Sequence, residues 1–267
     1  MFPENFLEQI RMASLSVIIP AYNEQSTIGP VLRKVLGVPY LHEVIVVDDC
    51  SSDRTSEICA QFAARYSEVR VIRHPRNQGK TAALRTGFAA STGDIVIVQD
   101  ADLEYDPAEI VDVIRPIADG VADVVYGSRF LVRKAARVLY YYHFLANKFI
   151  SFLSNLFTNI NLTDVETGYK AFRGDIIRNM IISSRRFGFE IEVTAKVAKI
   201  GCAIYEVPIS YYGRTYEEGK KITAMDGIAA VWQIIKYNLF CSLKQSFLVV
   251  PSGRSLTKVR STNASGA

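Results

Sequence analysis

Acidic and polar residues recur where short apolar runs of this chain end. Asn23 and Glu24 follow SVIIPAY, Asp48 and Asp49 follow EVIVV, and Asp100 and Asp102 follow DIVIVQ. If those runs are parallel strands, such positions converge on one crevice beyond the strands' carboxyl ends. Asp100-Ala101-Asp102 is the sharpest pair, because two carboxylates one residue apart in a turn can face the same way, with Glu104 within reach. Like charges so close call for a cation, and Mg²⁺ or Mn²⁺ is held by one or two carboxylates plus substrate phosphate oxygens. Acidic residues after strands also serve as turn caps, and a lone Asp-x-Asp carries that reading as well. NQGKTAAL, residues 77–84, offers a glycine turn, Lys80 and a helix start, where backbone N–H groups and an ammonium can meet an anion. There is no GxxxxGK[ST], and no GxGxxG follows the first strand, so phosphate-loop hydrolases and dinucleotide dehydrogenases lose their main support.

The elements that would position these residues are legible from hydrophobic period. From Leu15 to Gly127, β-branched runs (SVIIP, EVIVVDD, VRVIRH, DIVIVQD, DVVYG) alternate with helical segments, which predicts a mainly parallel α/β sheet flanked by helices. Ser26 or Thr27 opens one helix that Gly37 closes, Ser52 and Asp53 open the next, and Asp106-Pro107 puts proline at a first helical position. After Ser128 the alternation gives way to longer amphipathic helices and two extended runs, GYKAF and AIYEVPISYY. No internal repeat is present.

With 267 residues, 49% hydrophobic and 22% charged, the chain has the composition of a folded globular protein. Its four cysteines are scattered without a CxxC pair, which argues against a structural zinc or a disulfide framework and suits a reducing compartment. The N-terminus lacks the positive start and apolar run of a secretion signal. Net charge is only +4, yet 11 Lys and Arg face 18 Asp and Glu up to Ser128, against 20 and 9 afterwards. A basic second half suits an anionic partner: a phosphorylated ligand or an acidic membrane surface. A nucleic-acid module is not expected, since no interleaved aromatic and basic motif could stack bases. The longest apolar stretches, 138–162 and 228–243, are interrupted by His143, Asn147 and Lys148, and by Gln233, Lys236 and Asn238. They read as amphipathic helices rather than membrane spans. Tyr140, Tyr141, Tyr142, Phe144 and Phe149, beside Arg133, Lys134 and Arg137, suit the first to a bilayer interface.

SVIIPAYNE, VIVVDDCSSD, NQGK, DADLEYDP and GSR, in this order, resemble the inverting family-2 glycosyltransferases of GT-A fold. TDVETGYKAFR, RFGFEIEVTAK and YEVPISYYGRTYEEGKKI resemble in particular the branch of dolichyl-phosphate mannosyltransferase and bacterial polyprenyl-phosphate glycosyltransferases. The resemblance runs from about Ser14 to Trp232 and implies a nucleotide-diphospho-sugar transferase, Rossmann-like. It implies one catalytic domain over 14–243, with a nucleotide-sugar half at 14–128 and an acceptor and membrane-facing half at 129–243. Residues 1–13 are then an extension and 244–267 a disordered tail. Pro20, Tyr22, Glu24 and Asp49 would line the nucleoside pocket with Asp48 in support, and Lys80, Asp100 and Ala101 would also contact the donor. Asp100, Asp102 and Glu104 would hold Mg²⁺ or Mn²⁺, Glu104 standing where relatives often carry glutamine. Arg129 would contact phosphate, and Arg214, Lys220 and Lys221 would close over donor diphosphate or acceptor phosphate. Asp164 matches a position proposed as base or acceptor orienter; it is equally an Asp capping a turn.

The implied reaction is metal-dependent transfer of a hexose, with inversion, from a UDP- or GDP-hexose to a dolichyl or undecaprenyl phosphate. The chain lacks the pair of membrane-spanning helices that many relatives carry. It is therefore expected as a compact form, cytoplasmic and peripheral at the cytoplasmic membrane face, held by the interfacial helix, basic residues or a membrane-anchoring subunit. The same donor chemistry on a polysaccharide or soluble hydroxyl is the alternative acceptor reading. A non-catalytic nucleotide-sugar-binding scaffold is the alternative of another class, disfavoured by Lys80, Asp100 and Asp102.

Overall fold

The structure is a computed structural model that describes residues 13–131, 140–184, 188–213 and 224–251. Seven strands form one sheet in the order β3-β2-β1-β4-β6-β5-β7. They are β1 (Leu15–Ala21), β2 (Leu41–Asp48), β3 (Val69–Arg73), β4 (Ile95–Val98), β5 (Val124–Ser128), β6 (Lys170–Arg173) and β7 (Ile204–Pro208). The first four pair in parallel, as the alternating pattern requires. β6 runs antiparallel between β4 and β5, and β7 returns parallel to β5. The expectation of a mainly parallel sheet holds.

Valine and isoleucine fill both faces of β1, β2 and β4, whose residues 17–19, 44–47 and 95–98 are essentially buried. Strands covered on both faces need continuous apolar runs rather than alternating ones. One layer holds α1 (Ile28–Val35), α2 (Thr55–Arg65) and α4 (Ile110–Ala118). The other holds α3 (Lys80–Ala90), α5 (Tyr141–Thr158), α6 (Gly174–Asn179), α7 (Phe189–Lys199) and α8 (Ala224–Leu239). Gly87 lets α3 lie close on the sheet, since a Cβ there would stand 2.3 Å from the Ile18 side chain.

Local signals act as read. Thr27 is the N-cap of α1, Asp53 accepts the Thr55 N–H at 2.9 Å, and Asp106 caps the short turn Pro107–Glu109 that leads into α4. The C-terminal boundary moves, however. Residues 244–251, expected in a disordered tail, begin with a short helix, α9 (Leu243–Ser246), started by a Ser242–Gln245 capping box. Phe247 is 3% exposed and bridges to Met180. One buried aromatic and one cap extend the fold; the remainder of that tail and residues 1–12 lie outside the described residues. Among the described residues no helix is long and apolar enough to cross a membrane.

Candidate active site

The carboxyl ends of β1, β2, β4 and β5 open on one crevice, and the loops there are tied together by side chains. Asn23, at φ 54°, turns the chain after β1; its N–H donates to Ser51 Oγ at 3.0 Å and its Oδ1 accepts from Ser52 N–H at 2.8 Å. Asparagine tolerates that left-handed conformation better than a β-branched residue would. Glu24 N–H donates to Thr55 Oγ1 at 2.8 Å, and its carboxylate accepts from Thr27 Oγ1 at 2.9 Å. Tyr22, 40% exposed, and the partly buried Pro20 remain at the crevice wall.

The two carboxylates after β2 do other work. Asp48 is fully buried and accepts from Ser51 N–H at 2.9 Å, from Ser56 Oγ and from Arg73 Nε at 3.3 Å, so it holds the loop after β2. Asp49, expected in the nucleoside pocket, is 3% exposed. It accepts Gln78 N–H at 2.9 Å and Gly79 N–H at 2.6 Å, and faces His74 Nδ1 at 2.7 Å. By those bonds Asp49 shapes NQGK, where Gly79 stands at φ 89° and α3 begins.

Lys80, the first residue of α3, reaches Asp100 at 2.7 Å and lies 3.7 Å from Glu190 of α7. Burial works against its charge, but Asp100 and Glu190 outweigh burial and hold the ammonium's pKa above its ordinary value. Asp100 fits only because residue 168 is glycine, since a Cβ there would stand 2.5 Å from Asp100 Oδ2. Asp102 accepts Glu104 N–H at 3.2 Å, in a turn closed by Leu103 at φ 61°. Ala101 is 4% exposed and packs inward, so it contacts a ligand through backbone at most.

Glu104, expected in the metal set, is engaged by the loop after β7. Its carboxylate accepts from Tyr211 OH at 2.9 Å, and its carbonyl takes Tyr212 N–H. Among the described residues no three His, Cys, Asp or Glu side chains gather as a ligand set by themselves. Asp100 and Asp102 still fit a hard divalent cation completed by substrate oxygens, the usual composition of a Mg²⁺ site. The ammonium drawn to Asp100 shows that the position attracts positive charge.

After β5 the expectations for Arg129 and Asp164 merge. Asp164 is fully buried, and Arg129 donates to it through Nε at 2.6 Å, Nη2 at 2.7 Å and its own N–H at 3.1 Å. Both carboxylate oxygens are therefore taken, and Asp164 holds Arg129 in place. The guanidinium also lies 5.2 Å from the Tyr211 ring centroid, a stacking that fixes its plane. Arg214, Lys220 and Lys221 lie outside the described residues.

Two groups escaped the sequence reading. Lys170, fully buried in β6, donates to the carbonyls of Val165 and Thr167 and lies 4.8 Å from the Tyr126 ring centroid; burial, above all, lowers its pKa to about 8. Glu166 has one carboxylate oxygen shut off from solvent with no hydrogen-bond partner. Burial first, then the negative charge of Glu190, pushes its carboxyl up to about 7. The only signal was their place in TDVETGYK beside Asp164 and Gly168.

Comparison with known proteins identifies the family and the fold. The model of glycosyl transferase family 2 matches residues 16–181. Undecaprenyl-phosphate mannosyltransferase of Micrococcus luteus is 30% identical over 224 residues, covering 80% of this chain and 90% of that protein. Dolichol-phosphate mannosyltransferase of Pyrococcus furiosus is 29% identical over 212 residues, covering 77% of this chain and 58% of that protein. Among solved structures, glucosyl-3-phosphoglycerate synthase of Mycobacterium tuberculosis with UDP superposes at TM-score 0.67 and 19% identity, covering 97% of this chain and 96% of that one. The same enzyme has been solved with Mn²⁺, UDP-glucose and phosphoglyceric acid. These likenesses confirm the GT-A fold, and the chain belongs to glycosyl transferase family 2: it is a glycosyltransferase.

Proposed function

We propose that this chain transfers a hexose from a nucleoside diphosphate sugar to a polyprenyl phosphate at a membrane surface, with inversion at the anomeric carbon. The observation that carries the reading is the 30% identity to an undecaprenyl-phosphate mannosyltransferase along 90% of that protein's length. It is supported by the exposed aromatic faces of α5 and α8, which suit an acceptor delivered from a bilayer. The cytoplasmic face and a peripheral attachment, by these helices or by an anchoring subunit, belong to the same reading.

Asp100 and Asp102 would hold Mg²⁺ or Mn²⁺ against the donor diphosphate; bound there, the cation neutralises charge growing on the leaving group. Lys80 adds a fixed cation beside them and keeps Asp100 oriented. Arg129, fixed by Asp164 and Tyr211, presents the unused edge of its guanidinium to the acceptor phosphate, geometry that suits a phosphoryl group. The acceptor oxygen bonds to the anomeric carbon as the bond to the diphosphate breaks, and its electron pair leaves with the nucleoside diphosphate. A phosphate acceptor is already anionic near pH 7, so positioning matters more than proton removal, in keeping with an Asp164 that is engaged elsewhere.

The test is a panel of UDP- and GDP-hexoses incubated with a short polyprenyl phosphate and Mg²⁺ or Mn²⁺, followed by extraction of lipid-linked product. Product in the organic phase is expected for one donor. Transfer only to water-soluble hydroxyl compounds would replace the acceptor, and no turnover with measurable donor binding would favour the scaffold reading.

A further inference from the structure

Around the Lys80 and Arg129 pairs, charged side chains are matched one to another. Asp164 has Arg129, Asp100 has Lys80, and Lys170 has two carbonyls. Glu206, below them, accepts Thr163 and Asp164 N–H groups at 2.9 and 3.2 Å. Glu166 is the exception. Its side chain makes no hydrogen bond among the described residues, and one of its oxygens is closed off from solvent without a donor. Native folds rarely leave a carboxylate oxygen so, and a ligand that supplies the donor is one physical reason for the gap.

Glu166 belongs to the loop between α5 and β6. Two residues before it, Asp164 holds Arg129; two residues after it, Gly168 lies against Asp100. The charged groups near enough to bias it are Glu190 of α7, Lys170 of β6, Arg129 after β5 and Asp164 of its own loop. Glu190 in turn is the neighbour of Lys80. The residue is thus tied to both pairs, through Glu190 and Gly168 to Lys80 with Asp100, and through its own loop to Arg129 with Asp164.

Resting on the reading above, we propose that Glu166 is the specificity-determining residue for the transferred hexose, accepting a hydrogen bond from one of its hydroxyl groups. In an inverting displacement the hexose ring must lie between the leaving diphosphate and the incoming oxygen. A carboxyl group whose side chain accepts no hydrogen bond from its neighbours suits a neutral group rich in O–H donors better than it suits either phosphate. The side chain is partly buried rather than sealed, and burial first, then Glu190, raises its pKa to about 7, so a hydroxyl donor would offset a cost the fold leaves unmet. A site built to bond a substrate hydroxyl rejects analogues that lack it far more strongly than an apolar pocket rejects a methylene, because the polar group is then left unpaired.

The experiment compares kcat/KM for the natural nucleotide hexose, its C2, C3 and C4 epimers and the matching monodeoxy donors in wild type, Glu166→Gln and Glu166→Ala. Binding of the bare nucleoside diphosphate serves as control. Wild type is expected to discriminate against one deoxy position by about 10²-fold or more. Glu166→Ala should reduce that ratio below about tenfold by losing rate only with the natural hexose. Glu166→Gln, which keeps one acceptor oxygen and nearly the same volume, should recover part of it. Nucleoside diphosphate affinity should stay within about threefold in all three. An unchanged ratio in both variants overturns the assignment. So does an equal loss for every donor together with disappearance of the acid limb of the pH–rate profile, which would make Glu166 a base. Sugar discrimination without any polyprenyl-linked product would overturn the acceptor reading and leave Glu166 as assigned. Failure of wild type to bind nucleoside diphosphate would overturn both.

Discussion

Arg129 and Asp164 hold each other through two side-chain hydrogen bonds of 2.6 and 2.7 Å, one partner fully buried and the other 14% exposed. Removing one member of such a pair leaves an uncompensated buried charge, so Arg129→Ala should cost stability on the order of 3 kcal/mol. Removing both should cost less than the sum. Urea denaturation of Arg129→Ala, Asp164→Ala and the double variant measures this; strict additivity would show that the pair is not coupled. Asp102→Asn should abolish most transfer with little loss of stability, since that carboxylate lies in a turn at the crevice; near-normal turnover would remove it from the site. Glu166 and Lys170 predict an unusual stability profile. The Glu166 carboxyl is raised from 4.5 to about 7, so the folded state binds more protons than the unfolded chain between those values and stability falls as pH rises through them. Lys170 is lowered from 10.5 to about 8, so the unfolded chain binds more protons above pH 8 and stability rises again. Denaturation from pH 5 to 10 should find a minimum between about pH 7 and 8, and Glu166→Gln should remove the fall on its acid side. A monotonic profile in wild type contradicts both assignments. What the sequence could not disclose is which partner each charge takes. Asp49, Glu104 and Asp164 stand at strand-end or loop positions where ligands are expected, and each is satisfied by a group 25 to 107 residues away. Nothing local marks such pairs.

At the scale of elements, the strands and their order of use were readable because each is a β-branched run bounded by turn residues. The antiparallel insertion of β6 was not, since four residues, KAFR, carry no direction. The helices of the second half show a face that burial alone does not explain. On α5, Tyr141, Leu145, Phe149, Phe152 and Leu156 are 41 to 67% exposed, and on α8 so are Ile228, Trp232 and Leu239, at 59 to 65%. Spacings of three, four and seven residues put each set on one side of its helix, and Leu248, Val249 and Val250 add 47 to 73% exposed apolar surface after α9. An apolar face of this extent with aromatic residues is what an interfacial helix inserts below lipid headgroups. Phe152→Glu and Trp232→Glu should each weaken flotation with anionic liposomes about tenfold or more, while leaving melting temperature nearly unchanged because exposed positions contribute little to stability. Binding equal to wild type in both variants would show that this face is covered by something other than lipid.

At the scale of the whole molecule, the acidic first half and basic second half share one sheet: β4 of the first pairs with β6 of the second, and β6 with β5. The proposed site takes Asp100, Asp102 and Lys80 from the first half and Arg129, Asp164 and Glu166 from the second. A ligand bound there should therefore stabilise both halves together, as a single cooperative unit. A ligand that binds only the native state adds RT ln(1 + [L]/Kd), about 2.7 kcal/mol at a hundredfold excess over Kd, which for a chain of this size raises the melting temperature by roughly 5 to 10 °C. The matching nucleoside diphosphate with Mn²⁺ should move one sharp transition by that amount. EDTA should abolish most of the shift, because without a cation the diphosphate meets the carboxylates of Asp100 and Asp102 directly, and Lys80 offsets only part of their charge. Asp102→Asn should respond to the nucleotide as wild type does in EDTA, and adding Mn²⁺ should not restore the difference. Two transitions, of which the nucleotide moves only one, would show instead that the halves fold independently. A full shift in EDTA would mean that Lys80 and its neighbours bind the diphosphate without a metal.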